Sequence, residues 1–230
     1  MIVTIDGPAG SGKSTIAQEV ARCLGITYLD TGAMYRAVTL LALERGCSLQ
    51  DEDEVGEVAL EMDLRFEAAE DSPSRVFVGA RDITEAIRTP SVSQKVSLVA
   101  AHPTVRHVLT ARQRALAEQG DMVLEGRDTG TVVCPRADLK VFLTASPMER
   151  ARRRKMQLEA QGVEVSLRTL ERELLLRDTH DSSRATAPLR KAKDALEVDT
   201  TSLTIAEVVE RICTRARALG VSGTEGAGPC

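Results

Sequence analysis

The run Gly7-Pro8-Ala9-Gly10-Ser11-Gly12-Lys13-Ser14 has the spacing G-x-x-x-x-G-K-[ST] of a phosphate-binding loop. Glycines let the backbone turn sharply and approach a ligand closely, so successive N–H groups and the amino end of the next helix can surround a β-phosphate. Lys13 brings charge to the β- and γ-phosphate oxygens, and the Ser14 hydroxyl suits Mg²⁺. A second set of residues also suits anions: Arg36 after Tyr35, Arg88, Arg106, Arg127 after a strand, and the clusters Arg150 to Arg154 and Arg172 to Arg184. Bringing two phosphate-bearing molecules in line is a problem of repulsion, and arginine forks with a lysine answer it. For the helical cluster Arg150, Arg152, Arg153, Arg154 and Lys155, a solvated face and a lid closing over the nucleotide are both open.

A nucleotide loop leaves the phosphoryl acceptor unnamed, and three classes compete. A regulatory GTPase needs an Asn-Lys-x-Asp guanine reader, and the chain has no asparagine; its Asp53-Glu54-Val55-Gly56 lies in an acidic helical stretch with no strand before it. An ATPase motor needs an apolar strand ending in acids, whereas Leu139 to Leu143 runs into Thr144-Ala145-Ser146. A small-molecule kinase leads. The alternative is a P-loop ATPase or switch that binds nucleotide without a small-molecule acceptor.

The elements that must position these residues alternate between apolar runs and amphipathic segments, the pattern of an α/β protein with a mostly parallel sheet. Strands are expected at Ile2 to Ile5, Ile26 to Leu29, Met122 to Leu124, Leu139 to Leu143 and Ala195 to Val198. Helices are expected at Ser14 to Leu24, Ala33 to Glu44, Asp51 to Met62, Ser91 to Ala101, Val105 to Glu118, Met148 to Gln161, Leu167 to Arg177 and Ile205 to Leu219. Between Asp63 and Ile87 the rhythm breaks: Leu64 to Ala68 and Arg75 to Val78 flank a turn-rich segment, as in an antiparallel insertion.

Composition narrows the function further. Of 230 residues 43% are hydrophobic and 28% charged, as in a globular protein, but only 2% are aromatic. That shortage excludes a nucleic-acid reader built on stacking platforms and predicts an aliphatic core. A net charge of −4 draws the chain to neither polyanions nor anionic membranes. The five cysteines are odd in number and lack a CxxC pair, which reads as reduced thiols, and three scattered histidines are too few for a metal cage. No apolar run reaches spanning length and the amino terminus enters a strand pattern at once, so a cytoplasmic protein, free of nucleic acid and membrane, is expected. A monomer is the expected state.

The ordered landmarks Ile5-Asp6-Gly7-Pro8, the phosphate loop, Leu29-Asp30-Thr31-Gly32-Ala33-Met34-Tyr35-Arg36, Ile87-Arg88-Thr89, Gly126-Arg127-Asp128-Thr129-Gly130-Thr131-Val132-Val133, and Arg177-Asp178 with Asp181 and Arg184 resemble the bacterial cytidylate (CMP) kinases. These are P-loop nucleoside monophosphate kinases, and the likeness spans nearly the whole chain apart from the C-terminal tail. It implies a P-loop three-layer α/β/α sandwich with a mostly parallel sheet, a small antiparallel insertion in the monophosphate-binding region and a helical lid. It places one domain at 1–220, with the insertion near 63–100, the lid near 150–184 and a flexible tail at 221–230.

The implied activity is transfer of a phosphoryl group from Mg²⁺·ATP to CMP or dCMP. By the same resemblance Gly7 to Thr15 and Arg153 hold ATP, and Ser14 holds the metal. Thr31, Tyr35, Arg36, Arg127, Arg177 and Arg184 line the CMP phosphate and ribose, and Asp181 bonds the sugar hydroxyls. Ser97, Arg106 and Asp128 read the base, while Lys13, Arg127, Arg177 and Arg184 carry the catalysis. Cytosine presents a 4-amino donor, suited to Asp128, and N3 and O2 acceptors, suited to Arg106 and Ser97; uracil inverts that pattern. Thr31 stands where many relatives have serine, and Glu125 where some have aspartate. Plainer roles stay open: a turn or cap for Asp128, core packing for Tyr35, an incidental polar position for Ser97, and helix capping rather than a metal-bound water for Asp30.

Overall fold

The computed structural model describes residues 1–67, 74–160 and 162–220. In chain order its first elements are β1 (Ile2–Asp6), α1 (Lys13–Leu24), β2 (Thr27–Asp30), α2 (Thr31–Glu44), α3 (Glu52–Glu61), β3 (Leu64–Glu67), β4 (Arg75–Val78) and β5 (Arg81–Asp82). They continue with α4 (Pro90–Val99), α5 (Pro103–Ala117), β6 (Met122–Gly126), β7 (Leu139–Thr144), α6 (Pro147–Glu159), α7 (Leu167–Ser183), β8 (Leu196–Asp199) and α8 (Ile205–Ala218). None of these helices is long and apolar enough to cross a membrane. The chain divides into two compact units, one from Met1–Tyr28 with the described chain from Gly120 onward, the other Leu29–Gln119.

The first unit is built on a sheet of order β2-β6-β1-β7-β8, with helices against it. β1 lies at its centre and pairs in parallel with β6 and β7, and β7 pairs in parallel with β8. Val3, Ile5, Val123, Val141 and Leu143 pack against Ile16, Val20 and Leu24 of α1 and Val208, Ile212 and Ala216 of α8. Burying each large aliphatic side chain contributes about 1.5–3 kcal/mol, so an aliphatic core suffices where aromatic rings are scarce. α8 begins with a capping box in which Thr204 and Glu207 satisfy one another's backbone N–H groups.

α7 runs on to Ser183, six residues past its expected end at Arg177. Its inner stripe passes from Leu170 and Leu174 to the buried Asp181. Because that last turn is held by charged partners rather than apolar ones, hydropathy alone ends the helix too early.

Between β6 and β7 the backbone makes one wide helical turn, Thr129–Val133, of the π type often found at functional sites. The Asp6 carboxylate at the end of β1 caps it, accepting from Thr129 N (2.9 Å), Thr129 Oγ1 (2.7 Å) and Gly130 N (2.8 Å). Burial pushes the Asp6 carboxyl above its usual range, against the pull of those bonds.

The second unit centres on α2. Ala33, Met34, Tyr35, Ala37 and Val38 pack with Val55, Val58 and Ala59 of α3, Val96 and Val99 of α4, and Val105 and Leu109 of α5. The antiparallel sheet β3-β4-β5 belongs to this unit. Ala68, the turn that follows it, Gln161 and the 221–230 tail lie outside the described residues. β5 is a strand the pattern does not announce: two charged residues carry no alternation, yet Val78↔Arg81 and Phe77↔Asp82 pair.

Gly130 shows how closely the wide turn is set against β1. A Cβ there would lie 2.7 Å from Thr4 Oγ1 and 3.3 Å from Lys140 Cγ. Gly130→Ala is therefore expected to destabilise the fold by roughly 1–3 kcal/mol, read as a lower urea midpoint with an unchanged slope.

Candidate active site

The phosphate loop joins β1 to α1 and is shaped by its glycines at defined points. Gly7 has φ +153°, and a Cβ on it would sit 2.2 Å from Leu143 O. Gly12, at φ +90°, precedes α1 without a capping side chain, and the first turn holds no acidic residue. The exposed first turn, with Ser14 and Thr15, thus presents its N–H groups and positive dipole end to an anion.

Lys13 is buried, with Nζ donating to Pro8 O at 2.7 Å. Burial lowers its pKa from 10.5 to about 7, helped by the Arg127 and Arg177 cations, while the Glu125 and Asp6 carboxyls pull the other way. Glu125 is itself buried and accepts from Tyr28 Oη at 2.6 Å.

Three arginines of this unit, Arg127, Arg177 and Arg184, act on Asp181. Arg127 Nε donates to Asp181 Oδ2 at 2.9 Å, and Arg184 Nε to the Asp181 carbonyl at 3.1 Å. Burial would raise the Asp181 carboxyl, but Arg127, Arg184 and Arg177 hold it below the usual carboxylate range. Asp128 is buried directly before the wide turn. Lys13, Arg127, Arg177, Arg184 and Asp181 are thus electrostatically coupled.

The helical basic cluster divides. Arg152 is solvated, at 65% side-chain exposure. Arg153 bonds Glu149 (3.0 Å), the Thr200 hydroxyl (2.9 Å) and carbonyl (2.6 Å), and Ser11 O (3.4 Å), beside the loop. Arg150 is buried.

In the second unit, Thr31, Tyr35 and Arg36 lie on α2, Ser97 on α4 and Arg106 on α5. The Arg106 guanidinium stacks over the Tyr35 ring at 5.3 Å and donates to Ala100 O at 3.1 Å. Tyr35 packs in the apolar core as well. Arg36 donates to Ser93 Oγ at 2.8 Å; Ser97, one turn further along α4, is half-buried, and Arg88 is exposed. Asp30 caps α2, accepting from Ala33 N at 3.0 Å, so capping is the role its geometry displays. Local spacing gives Asp6 and Tyr28 no role and leaves Arg150 between a solvated face and a lid; Arg150 is buried instead, donating to Ala9 O at 3.0 Å, and the parts of Asp6 and Tyr28 come from contacts far along the chain.

Sheet, loop and cationic cluster together define a P-loop nucleotide-binding α/β protein. A family model described as cytidylate kinase matches residues 3–218. A protein named cytidylate kinase from Carboxydothermus hydrogenoformans is 51% identical over 212 residues, covering 92% of this chain and 95% of that one. Another of that name, from Exiguobacterium sibiricum, is 50% identical over 210 residues, covering 91% and 94%. The chain belongs to the cytidylate kinase family. In fold it is also similar to the crystal structure of an uncharacterized protein from Eubacterium ventriosum, with TM-score 0.50, 13% identity, and coverage of 95% of this chain and 98% of that one.

The depressed Lys13 pKa predicts a proton linkage. From about pH 7 to 10.5 the unfolded chain keeps a proton that folded Lys13 has lost, so this group's contribution to stability rises with pH across that window. A bound polyphosphate restores the proton. Calorimetric titration of a nucleoside triphosphate at about pH 8, in buffers of different ionisation enthalpy, should show proton uptake that Lys13→Ala removes. Equal heats in all buffers would contradict this assignment.

Proposed function

We propose that this chain transfers the γ-phosphoryl group of ATP to CMP and dCMP, giving CDP and dCDP, as a cytoplasmic enzyme of pyrimidine nucleotide metabolism. The observation that carries the reading is the match to the cytidylate kinase family over residues 3–218. The cationic cluster around Lys13 is what such a reaction demands.

The acceptor is a phosphate already ionised at neutral pH, so no strong base is needed. The work lies in overcoming repulsion and stabilising charge on the group in flight. Residues Gly7 to Thr15 hold the ATP phosphates, with Arg153 behind the loop. Lys13, Arg127, Arg177 and Arg184 stabilise the transferring group. The exposed Ser14 hydroxyl at the amino end of α1 would hold Mg²⁺, which would supply positive charge against the phosphate oxygens.

Thr31, Tyr35, Arg36, Arg127, Asp181 and Arg184 take the monophosphate and ribose, and Ser97, Arg106 and Asp128 the base. Uracil would set a carbonyl against Asp128 and a ring N–H against Arg106, leaving buried charges poorly matched. The arginine-bearing helices α6 and α7 act as a lid that excludes water, without which ATP hydrolysis competes.

Steady-state assays with ATP across CMP, dCMP, UMP, AMP and shikimate should give the highest kcat/KM for CMP and dCMP. Preference for UMP or AMP would overturn the base reading, and nucleotide binding without any phosphorylated product would favour a switch. Lys13→Ala should lower kcat by about a hundredfold or more. Its melting temperature should hold or rise, because a buried and repelled cation has been removed.

A further inference from the structure

The proposed chemistry uses Arg177 and leaves two charged neighbours without a task. Asp178 follows Arg177 on α7, and Arg150 lies on α6 with its side chain only 5% exposed; the two form an ion pair. Both grip the same residue of the phosphate loop. Asp178 Oδ1 accepts from Ala9 N at 3.1 Å, and Arg150 Nη1 donates to Ala9 O at 3.0 Å. Arg150 Nε also donates to Ala145 O at 3.1 Å, beyond the end of β7.

The apolar contacts converge on the same point. Ala9 is buried with Ala151 and Leu158 of α6 and Leu170 and Leu174 of α7. A Cβ on Gly10 would lie 3.1 Å from Arg150 Cβ, so the loop backbone runs directly along that side chain. Ala9 is therefore held by its N–H, its carbonyl and its methyl group at once.

Neighbouring side chains on a helix point about 100° apart. Asp178 faces Ala9, while Arg177 acts electrostatically on Lys13 and Asp181. Fixing Asp178 thus sets the rotation of α7 about its axis, and with it the place of the Arg177 guanidinium. We propose that the Arg150–Asp178 pair is a positioning device: it locks α7 to the phosphate loop at Ala9 and so holds Arg177 in register with Lys13. This rests on the kinase reading above. Misplacing a catalytic group by about 1 Å can cost about a hundredfold in rate.

A buried ion pair is weak evidence for stability, so a purely structural role must be separated from a positioning one. The test is a double-mutant cycle measuring kcat, KM for ATP and for CMP, and melting temperature for Asp178→Asn, Arg177→Ala and their combination. Asp178→Asn should lower kcat by about tenfold or more, with KM for CMP little changed. In the Arg177→Ala background the same substitution should cost less than about twofold, because the residue it acts through is gone.

Arg150→Lys keeps the charge but loses the forked grip on Ala9 and Ala145, and should show the same dependence on Arg177 if Asp178→Asn folds poorly. Equal losses in both backgrounds, or an unchanged kcat, would overturn the inference. So would the double replacement Arg150→Met with Asp178→Leu if it recovered kcat together with melting temperature. A wild-type chain that makes no CDP sinks the kinase reading and this inference with it; an active wild type with additive losses sinks this inference alone.

Discussion

Repulsion between the buried Lys13 and its half-buried arginine neighbours is the constraint around which the sheet unit is organised. Lys13 sits within the field of Arg127 and Arg177, and Arg177 and Arg184 act with Arg127 on one carboxylate, Asp181. Like charges taken out of water separate or lose protons unless the frame holds them. Here bonds keep the groups from separating, Lys13 by Pro8, Arg127 by Gly126 and Asp181, Arg184 by the Asp181 backbone, and Lys13 gives up its proton above about pH 7 instead. The nearby carboxylates have their own ties, Glu125 to Tyr28 and Asp6 to the wide turn. A polyphosphate brings the negative charge that this arrangement calls for.

That frame explains the choice of scaffold. β1 is central and buried, so its last residue, Asp6, can hold the turn that carries Asp128 while the next residue, Gly7, opens the phosphate loop. Strand, turn and loop are thereby referenced to one backbone segment. Adjacent pairing of β6 sets Glu125 opposite Ile5 and Gly126 opposite Asp6, and Arg127 follows at once.

The parts legible in the sequence were those written in local spacing. The phosphate loop, the amphipathic helices and the apolar strands each declare themselves within a dozen residues, because backbone periodicity and glycine geometry are local properties. Arg127 was legible as an anion-binding candidate because it directly follows an apolar strand, whereas Asp128 was named through the family resemblance alone. The role of Asp6 and the hold of Arg150 on Ala9 were not legible, since each joins residues more than a hundred positions apart. The last turns of α7 were missed for a related reason: Asp181 is buried through ion pairing, and hydropathy registers such a residue as solvent-facing. The two-residue β5 is too short for any alternation to show.

The route by which the chain leaves the sheet has a consequence for how such a protein can be rebuilt. The Leu29–Gln119 unit departs within β2 and returns just before β6, and these strands are neighbours in the sheet. Thr27 N and Asp121 O, on either side of the excursion, are hydrogen-bonded at 3.2 Å. Points so close can be spliced by a short loop with little closure entropy. The inserted segment is therefore exchangeable in principle, a cassette between two paired strands, while the phosphate loop and its arginine ring stay on the chain that remains.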